Sequence, residues 1–195
     1  MRCKAGEKAR FEIEAKGTAH KRACLSRARP ALYHPIVPTP FIVRPASPDD
    51  TPRVLPLVRQ ICDLHRAMDP ERFTFRPDLL DLYAKWLPER ASDPRSPYFV
   101  AIVNDDVAGY LVGTIEPEVP IYWTPESGWI HDVFVDPAHR ALGIAGALVD
   151  AAIAEFTRLG VARIRLETAA PNESARALFR ARGFRPGTTE MLKML

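Results

Sequence analysis

From Phe41 onward the chain alternates short apolar runs with stretches of helical spacing. Phe41-Ile42-Val43, stopped by Pro45, predicts a first strand. Ser47-Pro48-Asp49-Asp50 has the form of a helix start, with a capping serine, a proline at the first position and acids in the first turn. That helix is expected to run to about Met68 with a bend at Pro56. Pro77 opens a second helix through Leu79, Leu82, Tyr83 and Trp86. Tyr98–Val103 and Val107–Ile115 read as strands around the turn Asn104-Asp105-Asp106. A proline-rich loop from Pro117 to Pro125 carries Tyr122 and Trp123, and Trp129–Val135 is the next strand. Ala141–Leu159 places Ile144, Leu148, Ala152, Phe156 and Leu159 on one helical stripe closed by Gly160. A strand at Ile164–Thr168, a helix at Asn172–Arg182 closed by Gly183, and a last strand at Thr188–Leu195 complete the pattern. Hairpins first and β-α-β-α-β afterwards predict an α/β protein whose mixed sheet carries helices on both faces.

Composition changes this picture at one end only. Residues 1–40 hold nine Lys/Arg against three Asp/Glu, lack periodic apolar residues and end in spaced prolines at 30, 35, 38 and 40. They read as a basic, flexible extension with a weak helix around Ala9–Lys16, ahead of a single domain at 41–195. The remainder is slightly acidic, with 18 Lys/Arg against 21 Asp/Glu, which argues against nucleic acid as the partner of the domain. Cys3, Cys24 and Cys62 match no metal-site spacing and no C-x-x-C pair. An odd number of cysteines, with no apolar core segment in the first 25 residues, is expected of reduced thiols in a cytoplasm. No run has the length needed to span a bilayer, so no membrane association is expected.

The chemistry is concentrated in Val133-Phe134-Val135-Asp136-Pro137-Ala138-His139-Arg140-Ala141-Leu142-Gly143-Ile144-Ala145. A strand ends, a tight turn follows, and a helix opens with a glycine. The first amides of a helix have no internal partner and sit at the positive end of its dipole, so a phosphate placed there accepts several of them. Gly143 permits close approach of a ligand, and Arg140 adds a formal charge. The G-x-G-x-x-G pattern of a dinucleotide site and the G-x-x-x-x-G-K-[ST] pattern of a P-loop are both absent. The residues by themselves predict an anion site without naming the anion.

Arg140-x-x-Gly143-x-Ala145 resembles the coenzyme signature [Q/R]-x-x-G-x-[G/A] of the bacterial GNAT N-acetyltransferase superfamily. Downstream, Asn172-x-x-Ala175-x-x-Leu178-Phe179-x-x-x-Gly183-Phe184 is similar to that family's N-x-x-A-x-x-L-Y-x-x-x-G-F. The resemblance covers roughly residues 41–195. It implies a three-layer fold whose central, mostly antiparallel sheet has six to seven strands. It also implies acetyl-CoA as co-substrate, no metal, and transfer of the acetyl group to a primary amine on a small molecule, peptide or protein. The pyrophosphate would bind the backbone of Arg140, Ala141, Leu142, Gly143, Ile144 and Ala145. The pantetheine arm would pair with Val133, Phe134 and Val135 where two strands splay apart. Asn172 would lie near the pantetheine, and Phe179 beside the thiol. A homodimer, supported by the short last strand, is also in keeping with similar proteins.

A primary amine with a pKa of ~10.4 is mostly protonated at neutral pH, so attack on a thioester needs a base. Glu167, five residues before Asn172, is the first candidate, because the family's ribosomal-protein alanine N-acetyltransferases carry a catalytic glutamate at the corresponding place. In Arg163-Ile164-Arg165-Leu166-Glu167 the same residue alternates onto a face with two arginines, which it could simply balance. Asp132 and His131 are the rivals, and strand alternation predicts that only one of them faces the acceptor. His139 is expected to be exposed in the turn. Phe179 stands where the family commonly has a tyrosine that protonates the departing thiolate. Phenylalanine has no proton to give, which leaves Ser174 or water for that task and also admits a non-catalytic acyl-CoA-binding or regulatory module. Tyr122, Trp123 and the segment His65–Phe75 are the expected acceptor wall.

Overall fold

The computed structural model describes residues 40–195. The expected basic extension, its weak helix, Cys3 and Cys24 lie outside the described residues.

The elements follow the order that the hydrophobic pattern predicts: β1 (Ile42–Pro45), α1 (Thr51–Met68), α2 (Leu79–Ser92), β2 (Tyr98–Val103), β3 (Asp106–Pro117), β4 (Glu126–Val135), α3 (Ile144–Arg158), β5 (Ile164–Leu166) and α4 (Glu173–Arg180). Short 3-10 turns at Pro48–Asp50 and Pro137–His139 lead into α1 and out of β4. The hairpin between β2 and β3 turns through Asn104 and Asp105 at φ of 47° and 68°, the left-handed geometry that matches strand twist. The sheet order is β1-β2-β3-β4-β5, antiparallel except for the parallel pair β4–β5.

Alternating strand residues divide the core between the two faces. Leu111, Ile130 and Val135 pack with Ile144, Leu148, Phe156 and Phe179 on the α3 side. Val100, Tyr110, Val112 and Phe134 pack with Val54, Val58, Ile61 and Leu87 on the α1–α2 side. The Phe156 ring lies so close to the sheet that a Cβ on Gly128 would meet it at 2.7 Å and one on Gly113 at 2.9 Å.

The strand count departs from expectation. Among the described residues there are five strands rather than six to seven, because Thr188–Leu195 forms none. Its Met191, Leu192, Met194 and Leu195 are exposed and find no sheet face to cover. Glu190 is instead drawn to Arg72 at 3.1 Å. The last strand on which the expected dimer drew is therefore missing. The α3 helix also begins later than expected, at Ile144 rather than Ala141, because Ala141 and Gly143 adopt φ of 63° and 83° and hold the chain out of the helix. No helix among the described residues is long and apolar enough to cross a membrane.

Asp50 fixes the entry into α1. Its buried carboxylate takes two bonds from the Arg44 guanidinium, at 2.7 and 2.8 Å, and one from the Ser47 backbone N–H at 2.8 Å. The Arg44 hydrogen bond is the main cause that holds the Asp50 carboxyl down to about 2, against 3.8 ordinarily. A lowered folded-state value gives stability that is present above the unfolded value and lost as pH falls through the folded one. Asp50→Asn is expected to cost on the order of 1–2 kcal/mol at pH 7, discounted because the Arg44 side chain is 39% exposed. In urea unfolding, the difference from the parent should close as pH falls from about 4 towards 2.

Candidate active site

The turn after β4 builds a cradle of backbone donors. The segment runs from the 3-10 turn through Arg140 to the left-handed Ala141 and Gly143, and α3 starts at Ile144. Such alternation of backbone hand gathers N–H groups into a concave, anion-sized nest. The Ala147 N–H is the first to find a helical partner, on the Gly143 carbonyl at 3.1 Å. Among the described residues, the N–H groups of 141–146 bond to no backbone carbonyl and no side chain. They open on a cleft of about 350 Å3, lined by Val135, His139, Arg140, Ala141, Gly143, Ile144, Ala145, Gly146, Leu178 and Arg182. Arg140 stands at the mouth, with its guanidinium over the Phe134 ring at 5.6 Å and its Nε on the Val135 carbonyl at 3.3 Å.

The cleft continues into a gap in the sheet. β4 and β5 pair only from Gly128↔Ile164 to Ile130↔Leu166, and from His131 onward that side of β4 has no strand beside it among the described residues. The Asp136 N–H donates to the Ala108 carbonyl, so the ladder's alternation turns the amides of Phe134 and Asp132 towards β3. The N–H and C=O groups of Val133 and Val135 are thereby turned into the gap. Phe134 does not face it: its side chain lies in the α1–α2 core.

At the head of the gap, β4 carries a bulge. Val112 pairs with Asp132 and Gly113 with Ile130, which leaves His131 without an opposite residue. The extra residue reverses the alternation. Ile130 packs towards α3, yet Asp132 and His131 both reach α2, so the expectation that only one of them would face that side is corrected. Asp132 accepts from the Tyr83 hydroxyl at 3.0 Å and the Tyr110 hydroxyl at 3.2 Å. Burial pushes its carboxyl above the usual carboxylate range, with the two tyrosine bonds pulling the other way. The same burial, together with Asp132 and Asp63, pushes the Cys62 thiol up to about 11, so Cys62 is a protonated core residue rather than a nucleophile. The His131 ring meets Trp86 edge-on at 5.4 Å and lies 6.3 Å from Trp129.

Comparison with known proteins places the chain in a family. Residues 58–184 match the acetyltransferase (GNAT) family. The chain belongs to the GNAT acetyltransferase family. Within it, a mycothiol acetyltransferase of Beutenbergia cavernae is 33% identical over 90 residues, 46% of this chain and 29% of that protein. The match therefore spans less than a third of that curated relative's length. Among solved structures, a GCN5-related N-acetyltransferase from Ralstonia eutropha is 26% identical with a TM-score of 0.60, over 80% of this chain and 99% of that one. A predicted acetyltransferase from Clostridium acetobutylicum, solved with acetyl-CoA, shares the fold at a TM-score of 0.63 and 19% identity, over 80% of this chain and 96% of that one.

The other expected site residues of this GNAT protein are spread around the gap. Glu167 is the first residue past β5, exposed, with Arg72 at 3.6 Å. It does not balance the neighbouring arginines, because Arg163 and Arg165 both turn to Glu118, at 2.8 and 3.3 Å. The segment His65–Phe75 does come to this side: Arg72 joins Glu167 to Glu190, and Phe73 stacks on His65 at 4.7 Å. Trp123 is fully exposed, and Tyr122 lies under the Arg163 guanidinium. Asn172 caps α4, accepting from the Ala175 N–H and the Ser174 hydroxyl, each at 3.1 Å. Phe179 is buried against Phe184, and Leu142 packs against the same core. His139 is half-buried and lines the cleft rather than standing exposed, and its Nδ1 has no partner among the described residues. Among the described residues no cluster suited to a metal ion occurs.

Sequence reasoning missed Arg182, Tyr83 and Tyr110. Arg182 crosses the first turn of α3, donates to the Gly146 carbonyl at 3.2 Å and pairs with Asp150 at 2.9 Å. A Cβ on Gly146 would collide with that guanidinium, so a glycine inside a helix was the available signal. In 15N-labelled protein, coenzyme A is expected to move the amide resonances of residues 141–146 before others. Gly143→Ala, forced to φ of +83° but meeting nothing within 4 Å, should lose ~1 kcal/mol of stability and bind coenzyme A about tenfold more weakly by calorimetry.

Proposed function

We propose that the protein transfers the acetyl group of acetyl-CoA to a primary amine by direct attack on the thioester. The observation that carries this reading is the continuity of the unpaired amides at 141–146 with the open edge of β4. A diphosphate fits the first, and an amide-containing arm paired like a strand fits the second. The order is that of coenzyme A: charged end at the helix, thioester at the bulge. Arg140 and Arg182 would supply positive charge beside the pyrophosphate, and Val133 and Val135 the pairing groups. A backbone N–H at that edge would hold the developing oxyanion. Asn172, through its cap, fixes the start of α4, and Phe179 contributes an apolar wall near the sulfur.

Two carboxylates flank the mouth of the gap. Asp132 lies two residues past the last pair on β4, and Glu167 one residue past it on β5. A base works best with a pKa drawn towards the operating pH, and burial moves Asp132 in that direction. Glu167, solvated and held by Arg72, stands where an incoming ammonium would first arrive. The acceptor is an amine on a small molecule, peptide or protein. Residues 41–195 form the transferase domain and 1–40 an appended basic segment. The odd cysteine count fits the reducing cytoplasm in which we place the protein.

A non-catalytic acyl-CoA-binding module is the second reading, favoured by Phe179, which offers the departing thiolate no proton. Thiol release from acetyl-CoA across an amine library separates the two. The transferase reading expects saturable release, reduced ~10²–10⁴-fold in Asp132→Asn or Glu167→Gln, whichever is the base, with coenzyme affinity retained. Coenzyme-induced stabilisation of about 2.7 kcal/mol at 100 times the dissociation constant, with no turnover of any amine, would decide for the module.

A further inference from the structure

Beside the two carboxylates, the bulged His131 takes part in a hydrogen-bond chain that neither of them shares. The Thr114 hydroxyl lies 2.6 Å from Glu116 Oε1 and 2.7 Å from His131 Nε2. Thr114 has one proton, and an ionised carboxylate can only accept. The hydroxyl therefore donates to Glu116 and receives its other bond from His131. This requires the proton of the neutral imidazole to sit on Nε2, which leaves Nδ1 as a bare lone pair. Among the described residues no donor meets that nitrogen. The ring is itself positioned by the Trp86 edge contact and by the bulge, at the residue following the last β4–β5 pair.

We propose that His131 Nδ1 is the proton acceptor in acetyl transfer, and that Thr114 and Glu116 are positioning residues that hold the ring in the Nε2–H tautomer. The proposal rests on the acetyl-transfer reading above. In the step it describes, the amine, after giving its ammonium proton to solvent through one of the two carboxylates, attacks the thioester carbon and the C–N bond forms. The N–H proton, made acidic by that bond, passes to Nδ1. The C–S bond then breaks, the electron pair leaves with sulfur, and the proton on Nδ1 is handed to the thiolate. Amine and acetyl-CoA become amide and free coenzyme A, with His131 returned to its starting form. The sequence also supplies the proton that Phe179 cannot.

Two charged groups act on the ring, Glu116 from β3 and Arg90 from α2, while Asp132 next to it on its own strand is bonded to Tyr83 and Tyr110. Burial is the largest influence and lowers the His131 pKa below 6.5, Glu116 raises it, and Arg90 lowers it further. A lowered pKa keeps the accepting, neutral form present at neutral pH, so the rate per neutral amine should rise with pH through a limb below 6.5 and then level.

The test combines 15N histidine spectra of the full-length resting protein with pH profiles of kcat/KM. The expected results are an Nε2–H signature for His131 at pH 7.5 and an acid limb that follows its titration. Thr114→Val should mix the tautomers and cut kcat about tenfold or more with KM little changed, and Thr114→Ser should restore both. Glu116→Gln removes the group that raises the pKa, so the limb should move to lower pH. An Nδ1–H signature in the parent, a limb unmoved in Glu116→Gln, or parental kcat in His131→Gln would overturn the proposal. The nitrogen shifts are read without an acceptor, so they decide the tautomer independently of turnover. Absence of turnover with every amine would instead overturn the acetyl-transfer reading.

Discussion

A strand that parts from its neighbour leaves backbone groups that must be bonded by something. In this protein the parting occurs after Ile130↔Leu166, and the rest of the site is arranged around it. The groups left over belong to Val133 and Val135, apart from the Val135 carbonyl that Arg140 already holds, because the Asp136–Ala108 bond fixes which residues turn towards β3. Past the turn at Pro137–His139, the left-handed Ala141 and Gly143 leave a second set of amides without partners among the described residues. The two sets are contiguous, so one elongated ligand can satisfy both. A simple phosphate would fill the cradle and leave the strand edge unanswered.

The bulge at His131 is the second half of the same arrangement. Without it, Asp132 would lie on the same face as Ile130, in the apolar layer against α3. With it, Asp132 lies between the hydroxyls of Tyr83 and Tyr110, on the side that α1 and α2 cover. One additional residue in a strand thus places a carboxylate and an imidazole side by side where the gap opens. The other carboxylate, Glu167, comes from the strand across the gap and lives in water. The two acids consequently differ in environment as well as position, the condition under which groups of one chemical type take different roles.

Much of the fold was legible in the sequence because it rests on local periodicity. The β2 strand has the predicted ends, and the other elements between β1 and α4 appear in the expected order. The mixed sheet with helices on both faces follows from that order, and the family membership from the two spaced motifs. The failures are all cases where a nonlocal or conformational fact decides. Ala141 is a good helix former, yet its backbone is left-handed, and nothing in its identity announces that. Thr188–Leu195 is expected as a last strand but pairs with none of the described strands, and its apolar side chains stay exposed. Alternation misassigned His131 and Asp132 because a register shift is a property of two strands, not of one. Tyr83 and Tyr110 are 27 residues apart in sequence and meet only through Asp132.

Phe156 has a further bearing on the site. Its ring occupies a niche that only the missing side chains of Gly113 and Gly128 leave open, on two adjacent strands. Twelve residues separate it from Ile144, about 18 Å along the helix axis. A helix keyed into the sheet at its far end cannot translate or roll without the ring colliding with strand backbone. The donor array at its near end is therefore indexed to the strands by a contact that no ligand touches. Affinity for an anion would then be sensitive to a substitution three turns away, transmitted through rigid-body placement alone.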